Sequence, residues 1–256
     1  MRFRYIVMAA LLAAAAIVAR PLLSDAAEQD AAFSKDQKAA IETIVHDYLL
    51  ANPSILKDMS QAMQATEMKA MMENATKAIA ENKDALFNDK DLPFIGAADG
   101  DVVMVQFYDY QCHYCKMALE TVQTLIKADP KLKVVLVDFP ILSEDSNTAS
   151  AAAIASAKQG KYADFYPAVM GYQGRLDKAT IEKLAASAGV DVEQMKKDME
   201  SAEVKERIAR NHELGGKIGI RGTPGFVVGA KLLPGVAPVE EFKKMIAEVR
   251  AANAGK

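Results

Sequence analysis

Gln106-Phe-Tyr-Asp-Tyr-Gln-Cys-His-Tyr-Cys-Lys-Met117 holds both cysteines of the chain, Cys112 and Cys115. Just before them, Val102-Val-Met-Val-Gln-Phe-Tyr108 is β-branched and aromatic, the composition of a short buried strand. After them, Lys116 to Ala128 reads as a helix, and Lys133-Val-Val-Leu-Val-Asp-Phe139 as a second buried strand ended by Pro140. Strand, helix and strand within about forty residues make a βαβ unit, so the two strands are expected to be parallel. The cysteine pair sits at the junction where the first strand hands over to the helix.

Two cysteines at this spacing could hold a metal, staple a loop or exchange electrons. A structural zinc needs four ligands, and the chain offers one cysteine pair and 3 histidines. His113 lies inside the pair, while His46 and His212 fall in separate helical segments with no ligand spacing. As a staple, a Cys112–Cys115 bond closes almost the smallest loop available and constrains the unfolded chain little. Exchange suits the junction. The first cysteine would lie at a helix N-terminus, where unpaired N–H groups and the helix dipole favour a thiolate. A lowered pKa makes Cys112 both the attacking sulfur and a good leaving group. Cys115, one turn further in, is expected to resolve the mixed disulfide, with His113 and Tyr114 tuning the pair.

Around this core the chain is organised in three parts. Arg2 and Arg4 precede an apolar run from Tyr5 to Ala19, short of the ~20 residues a membrane span needs but suited to an export signal. Ser24-Asp25-Ala26 offers a cleavage site after Ala26, so residues 1–26 are read as a signal peptide and the remainder as exported to the periplasm or cell envelope, where disulfides are possible. Residues 27–90 read as a helical region and linker. Ser34-Lys35-Asp36-Gln37 has capping-box spacing, and Ile41, Ile44, Val45, Tyr48 and Leu49 form one apolar face. Asn52-Pro53 breaks this helix, and Ile55, Leu56, Met59, Met63 and Ala70 mark the apolar side of the next. Faces this narrow point to self-association, placed at residues 34–85. Met59, Met63, Met68, Met71 and Met72 are soft enough to suggest copper, although methionine also fills irregular helix contacts. Residues 88–100, rich in Asp, Gly and Pro, read as linker.

Residues 91–256 read as one domain. After the βαβ unit, helices are expected at Asn147–Gln159, Lys161–Met170, Lys178–Ala188, Val192–Met199 and Ala202–Leu214, an insertion over about 145–214. The chain returns to strand at Gly225-Phe-Val-Val-Gly229, with Lys231-Leu-Leu233 able to pair across Gly229-Ala230, and Pro238–Arg250 closes it as a helix. Just ahead of that strand, Thr223-Pro224 removes a ladder donor and fixes φ. With a net charge of -3, no Trp, and no basic run interleaved with aromatics, the chain gives no sign of a nucleic-acid partner.

Taken together, the motifs Phe107-Tyr-Asp-Tyr-Gln-Cys-His-Tyr-Cys-Lys116 and Gly219-Ile-Arg-Gly-Thr-Pro-Gly-Phe-Val-Val-Gly229 resemble the DsbA family of thioredoxin-fold thiol–disulfide oxidoreductases. The likeness spans Leu92 to Val249. Ile41-Glu-Thr-Ile-Val-His-Asp-Tyr-Leu-Leu-Ala-Asn-Pro53 resembles the N-terminal extension of ScsC-like and Com-type members. The resemblance implies an α/β thioredoxin fold with an inserted helical domain, and a cis Pro224 that shapes a substrate groove beside Cys112. Thr223 would pair through its backbone with a bound peptide. It also implies cysteine-containing protein substrates, no cofactor beyond the redox-active cysteine pair, and a homo-oligomer, a trimer by analogy. Trimers of this family act as isomerases or reductants and need a membrane reductant of the DsbD or ScsB kind; a monomeric oxidase needs an oxidant of the DsbB kind. Relatives often carry a buried Glu six residues before the first cysteine, where this chain has Gln106. Asp109, the nearest carboxylate, is expected to be exposed at the turn. A copper-handling protein and a structural envelope protein are the readings from other classes.

Overall fold

The structure, a computed structural model, describes residues 33–255. The segment read as an export signal lies outside the described residues. The chain divides into two compact units, Met1–Ala65 and Thr66–Lys256.

In the first unit, helix α1 (Lys35–Ala51) opens with the expected capping box: the Ser34 hydroxyl accepts the Gln37 amide, and the Gln37 side chain accepts the Ser34 amide. Asn52 closes it by donating both its backbone and its side-chain N–H to the Tyr48 carbonyl. Helix α2 (Ser54–Glu81) then starts directly after Pro53. Helix α1 buries none of its residues, and Ile44, Tyr48, Leu56 and Met59 all remain more than half exposed. His46 is exposed, paired with its neighbour Asp47.

The second unit is built on a five-stranded sheet in the order β1-β3-β2-β4-β5. Its strands are β1 (Phe94–Gly96), β2 (Val102–Tyr108), β3 (Leu132–Asp138), β4 (Gly225–Val228) and β5 (Lys231–Pro234). β2 and β3 are parallel, joined by α4 (His113–Ala128), while β1, β4 and β5 pair antiparallel with their neighbours. Helix α3 (Lys83–Phe87) precedes the sheet, and between β3 and β4 lie α5 (Glu144–Lys158), α6 (Tyr162–Met170), α7 (Lys178–Ser187), α8 (Val192–Met199) and α9 (Ala202–Ile218). Helix α10 (Val239–Ala254) ends the chain. Among the described residues, no helix is long and apolar enough to cross a membrane.

Side chains alternate across the pleat, so β2 feeds two cores. Met104 and Tyr108 join α4, α10 and the inserted helices, whereas Val105 and Phe107 pack with Ile79 of α2, Leu86 of α3 and Ile218 of α9. The C-terminal half of α2 thus belongs to this unit's own core, where Ala75 and Ile79 are buried.

Two local features differ from the sequence reading. The linker at 88–100 contains β1, three residues too short to show a period, at whose end a Cβ on Gly96 (φ +86°) would meet the Leu132 carbonyl at 2.4 Å. Helix α9 runs through Gly215 and Gly216 instead of stopping there. A Cβ at Gly215 would lie 2.5 Å from the Phe139 ring, so that glycine serves close packing, and the stop comes at Gly219 in the left-handed region.

Phe226 of β4 is fully buried with its ring edge-on to Phe242 at 4.8 Å. Phe226→Ala is expected to cost about 3–5 kcal/mol in denaturant unfolding; a loss below about 1 kcal/mol would contradict this placement of the core.

Candidate active site

The turn that ends β2 aims the cysteines. Asp109 O accepts the Cys112 amide at 3.1 Å, and Cys112 O in turn accepts the amides of Cys115 and Lys116, so Cys112 is the N-cap of α4. Cys112 is 6% exposed and Cys115 is fully buried, both as free thiols. In its protonated form the Cys112 thiol donates to the carbonyl of Thr223 at 3.2 Å, bringing together residues 111 apart in sequence. The Thr223-Pro224 peptide bond is cis. Pro224 O accepts the Gly235 amide at 2.8 Å, which ties this loop to the end of β5.

The two sulfurs differ in acidity. A hydrogen bond from the Cys115 thiol, helped by the amides of Cys115 and Tyr114, outweighs burial and lowers Cys112 from its ordinary 9.0 to about 6. Burial foremost, and then the neighbouring Cys112, push Cys115 far upward. One sulfur is therefore a thiolate at neutral pH and the other a thiol.

His113 and Tyr114 lie at the surface on the first turn of α4, with rings edge-on at 5.7 Å and Tyr114 60% exposed. Other exposed apolar side chains sit on segments tied to the same turn. Ile141 and Leu142 give their amides to Asp109, Tyr172 accepts the Lys116 ammonium through its carbonyl, and Val236 follows Gly235.

Asp109 corrects the sequence reading: it is fully buried. Its carboxylate accepts the amides of Gln111 (2.8 Å), Ile141 (2.8 Å) and Leu142 (3.1 Å), fastening the cysteine turn to the loop after β3. Those amides come partly from 32 residues away, so sequence spacing gave no hint of them. Gln106 is also fully buried, its Oε1 accepting the Tyr166 hydroxyl at 3.4 Å and its Nε2 without a partner. Sequence reasoning missed a third group, Asp138. It lies at the end of β3, fully buried among Tyr108, Tyr110 and Tyr162. A charged residue closing an apolar strand, with tyrosines two apart on the neighbouring strand, was the available signal. Among the described residues, no group of three or more His, Cys, Asp or Glu converges as a metal site.

A mixed sheet with a parallel βαβ core, a Cys-x-x-Cys at its strand-to-helix junction and a cis proline facing the first sulfur defines a thioredoxin-type fold. The model of the DSBA-like thioredoxin domain matches residues 103–247, and that of the copper resistance protein ScsC N-terminal domain matches residues 37–70. The chain belongs to the DsbA family of thiol–disulfide oxidoreductases and is ScsC-like. A probable disulfide bond formation protein D of Bacillus cereus is 30% identical over 151 residues, 54% of this chain and 70% of that protein. A crystal structure of a thioredoxin-like oxidoreductase from Silicibacter pomeroyi is 40% identical with a TM-score of 0.65, covering 66% of this chain and 98% of that one. ScsC of Proteus mirabilis in a transitional conformation is 30% identical with a TM-score of 0.64, covering 88% of this chain and all of its own.

A depressed thiol pKa adds stability to the reduced fold as pH rises from the folded pKa to the unfolded one, the range in which folding releases a proton, and that stability is retained at higher pH. The Cys112 contribution is therefore full above 9.0 and lost as pH falls through about 6. Asp138, raised to about 7 mainly by burial, acts oppositely between 3.8 and about 7, and Cys115 only above 9.0. The melting-temperature difference between the reduced protein and reduced Cys112→Ser is expected to widen steadily from pH 6 to pH 9. A difference that stays flat would mean that Cys112 is an ordinary thiol.

Proposed function

We propose that this protein is an exported thiol–disulfide oxidoreductase acting on cysteines of protein substrates in the periplasm or cell envelope. In this reading Cys112 attacks a substrate disulfide, or is attacked while oxidised, and a mixed disulfide forms on its sulfur. Cys115 then attacks Cys112, the Cys112–Cys115 bond forms, and the substrate leaves as a thiolate. The observation that carries this is the opposed acidity of two adjacent sulfurs at a helix N-terminus, one held at about 6 and the other pushed far upward. A thiolate at rest attacks and leaves readily, and its stabilisation makes the disulfide the more oxidising form. The cis Pro224 presents no N–H, which leaves the Thr223 backbone to pair with an extended substrate segment. Exposed Tyr114, Met117, Leu142 and Tyr172 suit apolar stretches of unfolded chains. No cofactor beyond the cysteine pair enters the reaction.

Isomerase or reductase action by a homo-oligomer is the direction we favour, with a trimer as the working form. The apolar side chains that α1 leaves uncovered support self-association. Several sites around a shared space suit the shuffling of misfolded substrates. Such an enzyme requires a membrane partner that keeps it reduced; a dithiol oxidase would instead require one that reoxidises it. A copper role, suggested by the name of the matching N-terminal family, would draw on Met59 and Met63, both exposed on α2. It predicts Cu(I) binding that survives Cys112→Ser and falls when those methionines are replaced.

The test starts from scrambled ribonuclease with a glutathione buffer. Because Ala75, Ile79 and Leu86 belong to the catalytic unit's core, the shortened chain should lack only residues 27–65. The mature protein is expected to restore ribonuclease activity, Cys112→Ala to abolish this, and the shortened chain to lose unscrambling while still oxidising reduced ribonuclease. A shortened chain that unscrambles as well as the full one would contradict the isomerase reading, and an active Cys112→Ala variant would contradict the whole.

A further inference from the structure

Resolution at Cys112 leaves a proton to be placed. Cys115 has no exposed surface, and burial keeps its sulfur protonated, so its attack requires another group to take the S–H proton as the new bond forms. The carboxylate nearest in sequence, Asp109, already has its oxygens on three backbone amides. Gln106, buried on β2 on the same side of the sheet as Cys115, carries no titratable group.

Beyond Gln106 the core turns polar. The Tyr166 hydroxyl donates to Gln106 Oε1, and the Tyr166 ring lies edge-on to Tyr108 at 5.2 Å and parallel to Tyr162 at 6.2 Å. Tyr108 donates to Asp138 Oδ1 at 2.8 Å and Tyr162 to Asp138 Oδ2 at 3.2 Å, and the two hydroxyls also meet one another. The Tyr110 hydroxyl lies 3.1 Å from that of Tyr108, and Asn211 of α9 donates to the Asp138 carbonyl at 3.0 Å. Cys115 and all four tyrosines share one core cluster.

The groups facing the Asp138 carboxyl are therefore Tyr108 and Tyr110 from β2 and its turn, Ser150 from α5, and Tyr162 and Tyr166 from α6. From α9 come Asn211 and, across the Phe139 ring, His212. Among the described residues, no Lys or Arg forms an ion pair with Asp138. A buried carboxyl without a cation resists ionisation, and burial raises this one to about 7 against the hydrogen bonds that lower it. Both of its protonation states are thus accessible near neutral pH. Burial holds the tyrosines protonated, so they can pass a proton but not keep one. Tyr162 also lines a surface cavity of about 540 Å³ with Lys158, Glu203 and Arg207.

We propose that Asp138, hydrogen-bonded to Tyr108 and Tyr162 in the core cluster that also holds Tyr166 and Cys115, is the proton store for Cys115. This rests on the reading of Cys115 as the resolving thiol. In the step, the Cys115 proton passes to the Asp138 carboxylate while the sulfur electron pair forms the bond to Cys112. The bond between Cys112 and the substrate sulfur breaks, and its pair leaves with the substrate as a thiolate. When a substrate thiolate attacks the Cys112–Cys115 disulfide, Asp138 returns the proton to the departing Cys115 sulfur. No outside oxidant or reductant enters either direction.

The test uses the full chain carrying glutathione on Cys112 and follows glutathione release from pH 5 to pH 9. The wild-type rate is expected to rise with pH and level off above about 7, where Asp138 is ionised. Asp138→Asn should be slower by on the order of tenfold or more at pH 7 and show no levelling, the loss expected for a missing general base. Tyr166→Phe should also slow release while keeping the wild-type position of the plateau. Alkylation of Cys112 in the reduced variants, which needs no proton from Cys115, reports whether the site is still folded. In the unsubstituted protein, the carbon-13 shift of the Asp138 carboxyl should titrate at different pH in the reduced and oxidised forms, a readout that a purely structural role would leave unmoved. Release by Asp138→Asn at the wild-type rate and pH profile, or the same Asp138 midpoint in both redox forms, overturns the proposal. Should Cys115→Ser release glutathione as fast as wild type, the resolving assignment fails instead, and the two failures are distinguishable.

Discussion

The Cys112 sulfur lies against the Thr223 carbonyl at 3.2 Å while its own backbone opens helix α4. Holding both at once constrains the rest of the domain. The helix must start at the end of β2, which requires the parallel β2–β3 pairing. The loop before β4 must return beside β2, which the antiparallel pairing of Phe107 with Gly225 and Gln106 with Phe226 ensures. Asp109 completes the frame by binding the amides of Ile141 and Leu142, so the turn, the loop after β3 and the cis-proline loop meet at one end of the sheet.

The setting explains why neighbouring sulfurs differ. Cys112 caps the helix and collects donors that favour its anion. Cys115 is one turn inside, on the face that packs with Ala118, Val122 and Leu125 under the sheet, where no water compensates a charge. The asymmetry follows from where the helix begins and which face it buries, and the two residues between the cysteines stay outside as contact surface.

Much of this was legible in the sequence because it is encoded locally. The β-branched runs of β2 and β3, the Cys-x-x-Cys between them, the capping box at Ser34, the Pro53 break and the hairpin at Gly229 all act over a few residues. Val192–Met199 falls on its expected bounds. What escaped depends on partners far along the chain. Three-residue β1 exists because Val134 and Val135 offer it an edge. Gly215 inside α9 leaves room for the Phe139 ring. Asp109 is buried because distant amides satisfy it. Asp138 reads as the polar end of a strand until the tyrosines of β2 and α6 are folded around it. Periodicity reports which face is buried, not which polar groups that face encloses.

The central claim is that the fold stabilises the reduced pair through the Cys112 thiolate, and the reduction potential of the Cys112–Cys115 couple at pH 7 tests it most directly. Equilibration with glutathione should place the couple well above about −270 mV, the value of a thioredoxin-type reductant, and towards about −120 to −180 mV, the range of oxidising and isomerising members of the fold. A potential below about −300 mV, that of a structural disulfide, would contradict the account.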